Sequence, residues 1–276
     1  MLSKHPESRV LVATSRLTPY LHDLAVDGTV DIAVIDDEVV FLSGIAYRAP
    51  NAVGNIPTPK QHQARGRRPW TRWAVERLLL LSERALPQKD IATRLGVTQQ
   101  AVSLVLQRSR HIRKTPDGWV GDPRSELLDG YLAEYPGPEG ASTYWYELDP
   151  IALQSTTASE FCARTGVATL QSGDVAADVY APWRLPTRAV IYTRTFVDLA
   201  PAGFTPATED SHTLEITVPA DTTLWQTSTL VDIDDRPTAV VDPVIALHDV
   251  ARSTGTDVGE AVEHLRTAIE ERTYRA

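Results

Sequence analysis

The stretch IATRLGVTQQAVSLVLQR, Ile91–Arg108, decides how this chain reads. It divides into a short helix, a glycine turn and a second helix. Gly96 stands at the turn, where a left-handed backbone is cheap only without a Cβ. Thr98 is a suitable N-cap for a helix running to about Ser109. Ala101, Val102, Val105 and Leu106 recur at intervals of three and four and are expected to face inward. Ala92, Gly96 and Val97 supply the small and apolar residues on which that helix leans. Gln99, Gln100, Ser103 and Gln107 fall on the other side. Glutamine can bond the N7 and N6 edge of adenine in a major groove, and Thr98 and Ser103 suit phosphate or base contacts. Leu104 lies off the apolar stripe, placed to touch a thymine methyl or a wing.

Working outward, TRWAVERLLLLSE carries Trp73, Val75, Leu78, Leu79 and Leu81 at helical spacing. Leu86-Pro87 marks the start of a second helix over Gln88 to Leu95. After the third helix, HIRKTPDGWVGD reads as a strand, the turn Pro116-Asp117-Gly118 and a return strand. Three helices followed by a hairpin predict a winged helix-turn-helix over residues 70–122. Arg108, Arg110, Arg113 and Lys114 stand where the helix end and the wing would meet phosphate. The alternative for such a unit is a purely protein-binding surface.

Charge supports the nucleic-acid reading. The chain has 276 residues and a net charge of −9, which by itself discourages a DNA contact. From Lys60 to Lys114, however, 13 Lys and Arg face only Glu76, Glu83 and Asp90, so this segment is +10 and the rest −19. A basic surface carried on an acidic body confines any duplex contact to the basic part. A single cysteine, Cys162, excludes an intramolecular disulfide and a cysteine zinc cage. No run of about 18 apolar residues predicts a membrane span. MLSKHPESRV lacks the apolar core of a secretory signal, so a cytoplasmic location is expected.

Residues 1–49 read as a small helix–hairpin unit. RVLVATSRLTPYLHDLAVDG predicts a helix interrupted near Pro19, and TVDIAVIDDEVVFLSG two strands around Asp36-Asp37. A partial winged-helix unit and a packing or dimerisation module both fit. Residues 50–69 form a Pro- and Gly-containing linker. Its end, Arg65-Gly66-Arg67-Arg68-Pro69, approaches the Arg-Gly-Arg-Pro core of a minor-groove arm, with one extra arginine. Arg67 and Arg68 are therefore candidate DNA contacts.

Residues 123–276 predict a mixed α+β domain. Helices are expected at Ser125–Leu132, within DPIALQSTTASEFCARTGV, near Gly173–Tyr180, and after Asp242-Pro243. A last helix is expected from Asp257, with Glu260 completing a capping box and Val258, Ala261, Val262, Leu265 and Ile269 forming a buried face. Strands are expected at Thr143–Leu148 and Ala189–Thr193, and in TLEITVP, TLWQTST and TAVVDP. The whole chain is thus α+β: a winged helix-turn-helix, a small N-terminal helix–hairpin unit and a larger mixed domain.

Chemical motifs are scarce. There is no phosphate loop, no Gly-x-Ser-x-Gly elbow and no His-Glu-x-x-His helix. Asp232, Asp234 and Asp235 read as an aspartate-rich turn, because the distal glutamate of a calcium loop is lacking. His212, His248 and His264 lack metal-site spacing. Ser172-Gly173-Asp174 with Asp178 touches on a nucleotidyltransferase pattern, but in the wrong order and spacing. No catalytic residue, metal or cofactor is expected.

Three stretches carry a resemblance: the winged helix around DIATRLGVTQQAVSLVLQ, SGDVAADVYAPWRLPTRAVIYT (Ser172–Thr193), and VVDPVIALHDVARSTGTDVGEAVEHLRTAI (Val240–Ile269). From about Trp70 onward the chain resembles the AbiEi-type antitoxin and transcriptional-regulator family of type IV toxin–antitoxin systems. The resemblance implies an autorepressor that recognises repeats in its own promoter. It also implies a C-terminal domain able to neutralise a nucleotidyltransferase-like toxin, without an obligatory direct contact. Two copies on an inverted repeat would extend the footprint of one reading helix. The competing reading is a regulator whose C-terminal domain senses a small molecule or modified DNA, with no toxin.

Overall fold

The computed structural model describes residues 11–48, 68–233, 236–255 and 257–275. In chain order the elements begin with β1 (Leu11–Thr14), α1 (Pro19–Val26), β2 (Asp31–Val34), β3 (Val39–Leu42) and β4 (Ile45–Arg48). The central part holds α2 (Trp70–Leu81), α3 (Gln88–Leu95), α4 (Gln99–Arg108), β5 (Ile112–Thr115), β6 (Gly118–Gly121) and α5 (Arg124–Glu134). Then come β7 (Gly140–Tyr146), α6 (Ile151–Arg164), β8 (Thr169–Ser172), α7 (Gly173–Tyr180), β9 (Ala189–Thr193), β10 (Thr205–Pro206) and β11 (Leu214–Pro219). The chain closes with α8 (Leu224–Thr227), β12 (Thr229–Ile233), β13 (Arg236–Val240), α9 (Pro243–Val250) and α10 (Val258–Glu271). The architecture is mixed α+β, and no described helix is long and apolar enough to cross a membrane.

The N-terminal unit is a βαβ turn followed by two further strands, in sheet order β1-β2-β3-β4 with β1 and β2 parallel. The expected helix is therefore corrected to a strand over Leu11–Thr14. Val12 and Thr14 are β-branched and pair with Ile32 and Val34. Helix begins only at Pro19, where Thr18 caps by accepting from the Leu21 amide at 3.2 Å.

The large sheet runs β10-β7-β11-β9-β8-β13-β12, with β9/β11 and β8/β13 parallel and the other pairs antiparallel. Period-two alternation gives it two distinct faces. Ala189, Ile191, Leu214 and Ile216 pack with Ala158 and Cys162 of α6. Further along that face, Ala141 and Val218 pack with Val12, Leu21 and Ala25 of the N-terminal unit. On the opposite face, Leu170 and Tyr192 join the apolar cluster that contains α9. The same cluster continues through Trp73, Leu79, Leu106, Leu128 and Tyr131, so one core links α2–α5 with α9 and α10.

Other expectations need correction. TLWQTST is not a strand throughout. Asp221 Oδ1 accepts the Thr223 amide at 3.0 Å and its hydroxyl at 2.5 Å, turning the chain into the short α8 before β12 begins. Asp257 does not cap α10 with its side chain; its carboxylate accepts from Arg184 at 2.7 Å instead. Strands β4, β8 and β10 were not anticipated, being only two to four residues long and held by sheet partners remote in sequence.

Candidate nucleic-acid interface

The residues around Gly96 build the site by local chemistry. Gly96 takes φ 64° and ψ 30°, and its amide and that of Val97 close the end of α3 on Ala92 and Thr93 carbonyls. Thr98, extended at ψ 147°, accepts from the Ala101 amide at 3.2 Å and starts α4. The Gln88 side-chain amide donates to the Gln99 carbonyl at 2.9 Å, tying the start of α3 to the start of α4. Val102 and Leu106 are buried against Ile91, Leu95 and Leu79, while Ala101 and Val105 are half-buried. These contacts fix which way the helix turns its polar side.

That polar side is open. Gln99, Gln100, Gln107, Arg108 and the capping Thr98 are exposed. Ser103 is half-buried and accepts from the Gln107 amide at 3.2 Å, so the pair sits as one unit on the helix surface. Leu104 is 48% exposed and lines a cleft of about 780 Å³ between α4 and α5, together with Arg72, Arg108, Arg110 and Glu134.

The hairpin β5–β6 is anchored to the helices by a third short pairing. Leu86 and Trp119 exchange both backbone hydrogen bonds, at 3.0 and 2.8 Å. Gly118 makes that approach possible: at φ 141°, a Cβ there would meet the Leu86 carbonyl carbon at 2.4 Å. Arg113 and Lys114 on β5 are exposed, as is Arg110 before it. Lys114 Nζ stands 6.0 Å from the Trp119 ring centroid. Arg113 is paired across the hairpin with Asp122, with Nε at 2.8 Å and Nη2 at 2.7 Å from one carboxylate oxygen. The two side chains are 60% and 48% exposed, so the pair is solvent-screened and contributes little to stability.

The +10 segment does not form one continuous surface. Arg77 is fully buried, and Arg72 is shared between Glu76 and Glu134, at 2.8 and 2.5 Å. Arg68 is held by Glu139 at the start of the large domain. Lys60, Arg65 and Arg67 lie outside the described residues. The remaining basic residues are Arg84, Lys89, Arg94, Arg108, Arg110, Arg113 and Lys114, all exposed. Arg84, Lys89 and Arg94 were not singled out from the sequence. Their signal is position: all three lie in or just before α3, the helix joined to α4.

Ser172, Asp174 and His248 have structural partners. Asp174 accepts from Arg184 at 2.9 Å and from the Thr187 amide and hydroxyl at 2.9 and 2.7 Å. Ser172 donates to Asp249 at 2.5 Å, and Tyr192 donates to the same oxygen at 2.7 Å. His248 Nδ1 lies 3.1 Å from Asp249 Oδ1. Asp234 and Asp235 lie outside the described residues. Among the described residues, no three His, Cys, Asp or Glu side chains are grouped to hold a metal ion. Burial pushes the Cys162 thiol up to about 11, leaving it protonated and unreactive at neutral pH. No protein-family model, curated protein or solved structure matches this chain.

Proposed function

We propose that α2–α4 and the β5–β6 hairpin are a winged helix-turn-helix that binds double-stranded DNA, and that the protein is a sequence-specific transcriptional repressor. The observation that carries this reading is the exposed amide stripe of Gln99, Gln100 and Gln107 on α4, beside the exposed Arg108, Arg110, Arg113 and Lys114. Amides read base edges and the cations read phosphates. The acidic remainder of the chain disfavours a second duplex-binding face. The short Leu86–Trp119 pairing favours a wing whose position is set by the helices rather than left to a loose hairpin.

Within that reading, the resemblance to AbiEi-type antitoxins supports an autorepressor of a type IV-like toxin–antitoxin pair, acting on repeats in its own promoter. The deciding experiment is a binding assay of the full chain on its own upstream DNA, with a random duplex as competitor at physiological salt. A specific operator is expected to win by about a thousandfold or more. Equal binding to both duplexes, or none to either, rejects the repressor. Rescue of cells from a nucleotidyltransferase-like toxin encoded beside it tests the antitoxin part separately.

A further inference from the structure

The face of the large sheet opposite α6 carries a polar cleft of about 470 Å³. Its floor comes from three neighbouring strands: Ser142 and Tyr144 of β7, Glu215 and Thr217 of β11, and Val190 of β9. Glu215 stands opposite Val190 on one side and Tyr144 on the other, so the alternation of the sheet turns these side chains the same way. Arg188, two residues before Val190, enters from the end of the same strand. Arg252 of the segment after α9 closes one rim, anchored on the Pro136 carbonyl at 3.3 Å. Tyr144 and His212 close another, with ring centroids 4.8 Å apart.

Two half-buried charges in this cleft are left open, beside the exposed Glu209 and Arg252 at its rim. Glu215 Oε1 accepts from Ser142 at 2.6 Å and from Thr217 at 3.0 Å, which fixes the carboxylate in the floor. Its Oε2 has no hydrogen-bond partner, and Glu215 has no cation partner, among the described residues. Arg188 is likewise half-buried, with no hydrogen bond or ion pair among the described residues. The two therefore face one cavity without satisfying each other. Half-desolvated charges of opposite sign cost stability unless something pairs with both. Burial together with the Glu215 and Glu209 carboxylates pushes the Tyr144 hydroxyl up to about 12, as expected for a locally negative floor.

We infer that this cleft binds a free amino acid, or a small molecule with the same ammonium–carboxylate head. The ammonium donates to Glu215 Oε2, the carboxylate accepts from the Arg188 guanidinium, and the side chain lies against the Tyr144–His212 wall. A simple anion would meet the floor carboxylate, and a simple amine the Arg188 charge. Only a zwitterion matches both, which sets the chemical class.

The test is calorimetric titration and thermal shift on the full chain, using each standard L-amino acid as probe. The matching decarboxylated amines and deaminated acids serve as controls. At least one amino acid is expected to bind saturably at millimolar concentration or below, with neither half-molecule binding comparably. Arg188→Gln and Glu215→Gln are each expected to weaken it by about tenfold or more, the loss of one charge-assisted hydrogen bond. Glu215→Gln keeps an acceptor for Ser142 and Thr217, and Arg188 holds nothing else in place, so both variants are expected to fold. Absence of any amino-acid binding, equal binding of the half-molecules, or unchanged affinity in both variants overturns the assignment. Duplex binding plays no part in this measurement, so either reading can fail alone.

Discussion

Arg77 Nε lies 3.0 Å from Asp242 Oδ2, and neither side chain is more than 1% exposed. Arg77 sits on α2 of the three-helix unit, while Asp242 caps α9 by accepting from the Val244 and Ile245 amides at 3.0 Å. The same guanidinium reaches Asp221 at 3.4 Å, Tyr131 at 3.1 Å and Thr223 at 2.8 Å, and Tyr135 also donates to Asp221 at 2.9 Å. Burial drives the Tyr131 and Tyr135 hydroxyls well above their usual range, keeping both neutral: Tyr131 accepts from Arg77 and Tyr135 donates to Asp221. One cation thus compensates two buried carboxylates and joins α2 to the large domain.

Removing that cation leaves both carboxylates in a dry core. Arg77→Met is expected to cost about 3–5 kcal/mol, read by urea unfolding. Arg77→Lys is expected to recover only part of it, since a point charge cannot serve donors' positions spread over four partners. A loss below about 1 kcal/mol for the methionine variant contradicts this account.

Two glycines, Gly96 after α3 and Gly118 in the β5–β6 hairpin, are expected to respond differently to alanine. At Gly96 a Cβ meets nothing within 4 Å among the described residues, so only the left-handed backbone is penalised, by about 1 kcal/mol. At Gly118 a Cβ would lie 2.4 Å from the Leu86 carbonyl carbon, and the φ of 141° is strained as well. Gly118→Ala is therefore expected to cost clearly more, about 2–4 kcal/mol, or to detach the β5–β6 hairpin from Leu86. Thermal unfolding orders the two, and equal losses count against the tight Leu86–Trp119 junction.

If α4 and the β5–β6 hairpin bind a duplex as proposed, mutants are expected to separate base-reading from phosphate-holding residues. Gln100→Ala is expected to relax base preference by about 1–3 kcal/mol at one position of the operator, leaving random-duplex affinity unchanged. Arg110→Ala and Arg113→Ala are expected to weaken all duplexes and lower the salt slope by about 1 each. Asp122→Asn frees Arg113 from its hairpin partner and is expected to strengthen binding to every duplex. Mobility shifts across a salt series measure all four; an unchanged slope in both arginine variants argues against phosphate contacts by the wing.

Glu76 supplies a pH test. Burial raises its carboxyl above the usual range, and the Arg72 guanidinium at 2.8 Å only partly offsets this. Its Oε2 has no hydrogen-bond partner among the described residues. The folded state thus holds the proton more tightly than the unfolded chain. Its contribution to stability is full below the ordinary carboxylate range and is lost as pH rises through the raised folded value. Glu76→Gln, a permanent copy of the neutral form, is expected to raise the melting temperature at neutral pH. The gain should vanish in acid, where the native side chain is itself protonated. A gain independent of pH assigns the effect to something other than this proton.

Much of α2–α4 was legible because its signals are short-range. The Gly96 turn, the Thr98 cap and the three-and-four spacing of Val102 and Leu106 each involve residues within about one or two helical turns. Strand Ala189–Thr193 and helix Gly173–Tyr180 were equally plain. Less legible was β1, because a run such as LVAT fits helix or strand until the partner Asp31–Val34 is known. The open charges of the cleft were invisible: Arg188 and Glu215 are neighbours only across two strands.

By itself the amino-acid order determined which segments turn, which helices start where, and which side of α4 is polar, since those outcomes depend on contacts a few residues apart. The fate of its charges was decided only by tertiary structure. Arg77 belongs to a segment of +10 and looks like a surface cation, yet it meets Asp221 and Asp242 across 144 and 165 positions of chain. A buried ion needs its counter-charge brought to it, and no local pattern records which distant residue the folded core will supply.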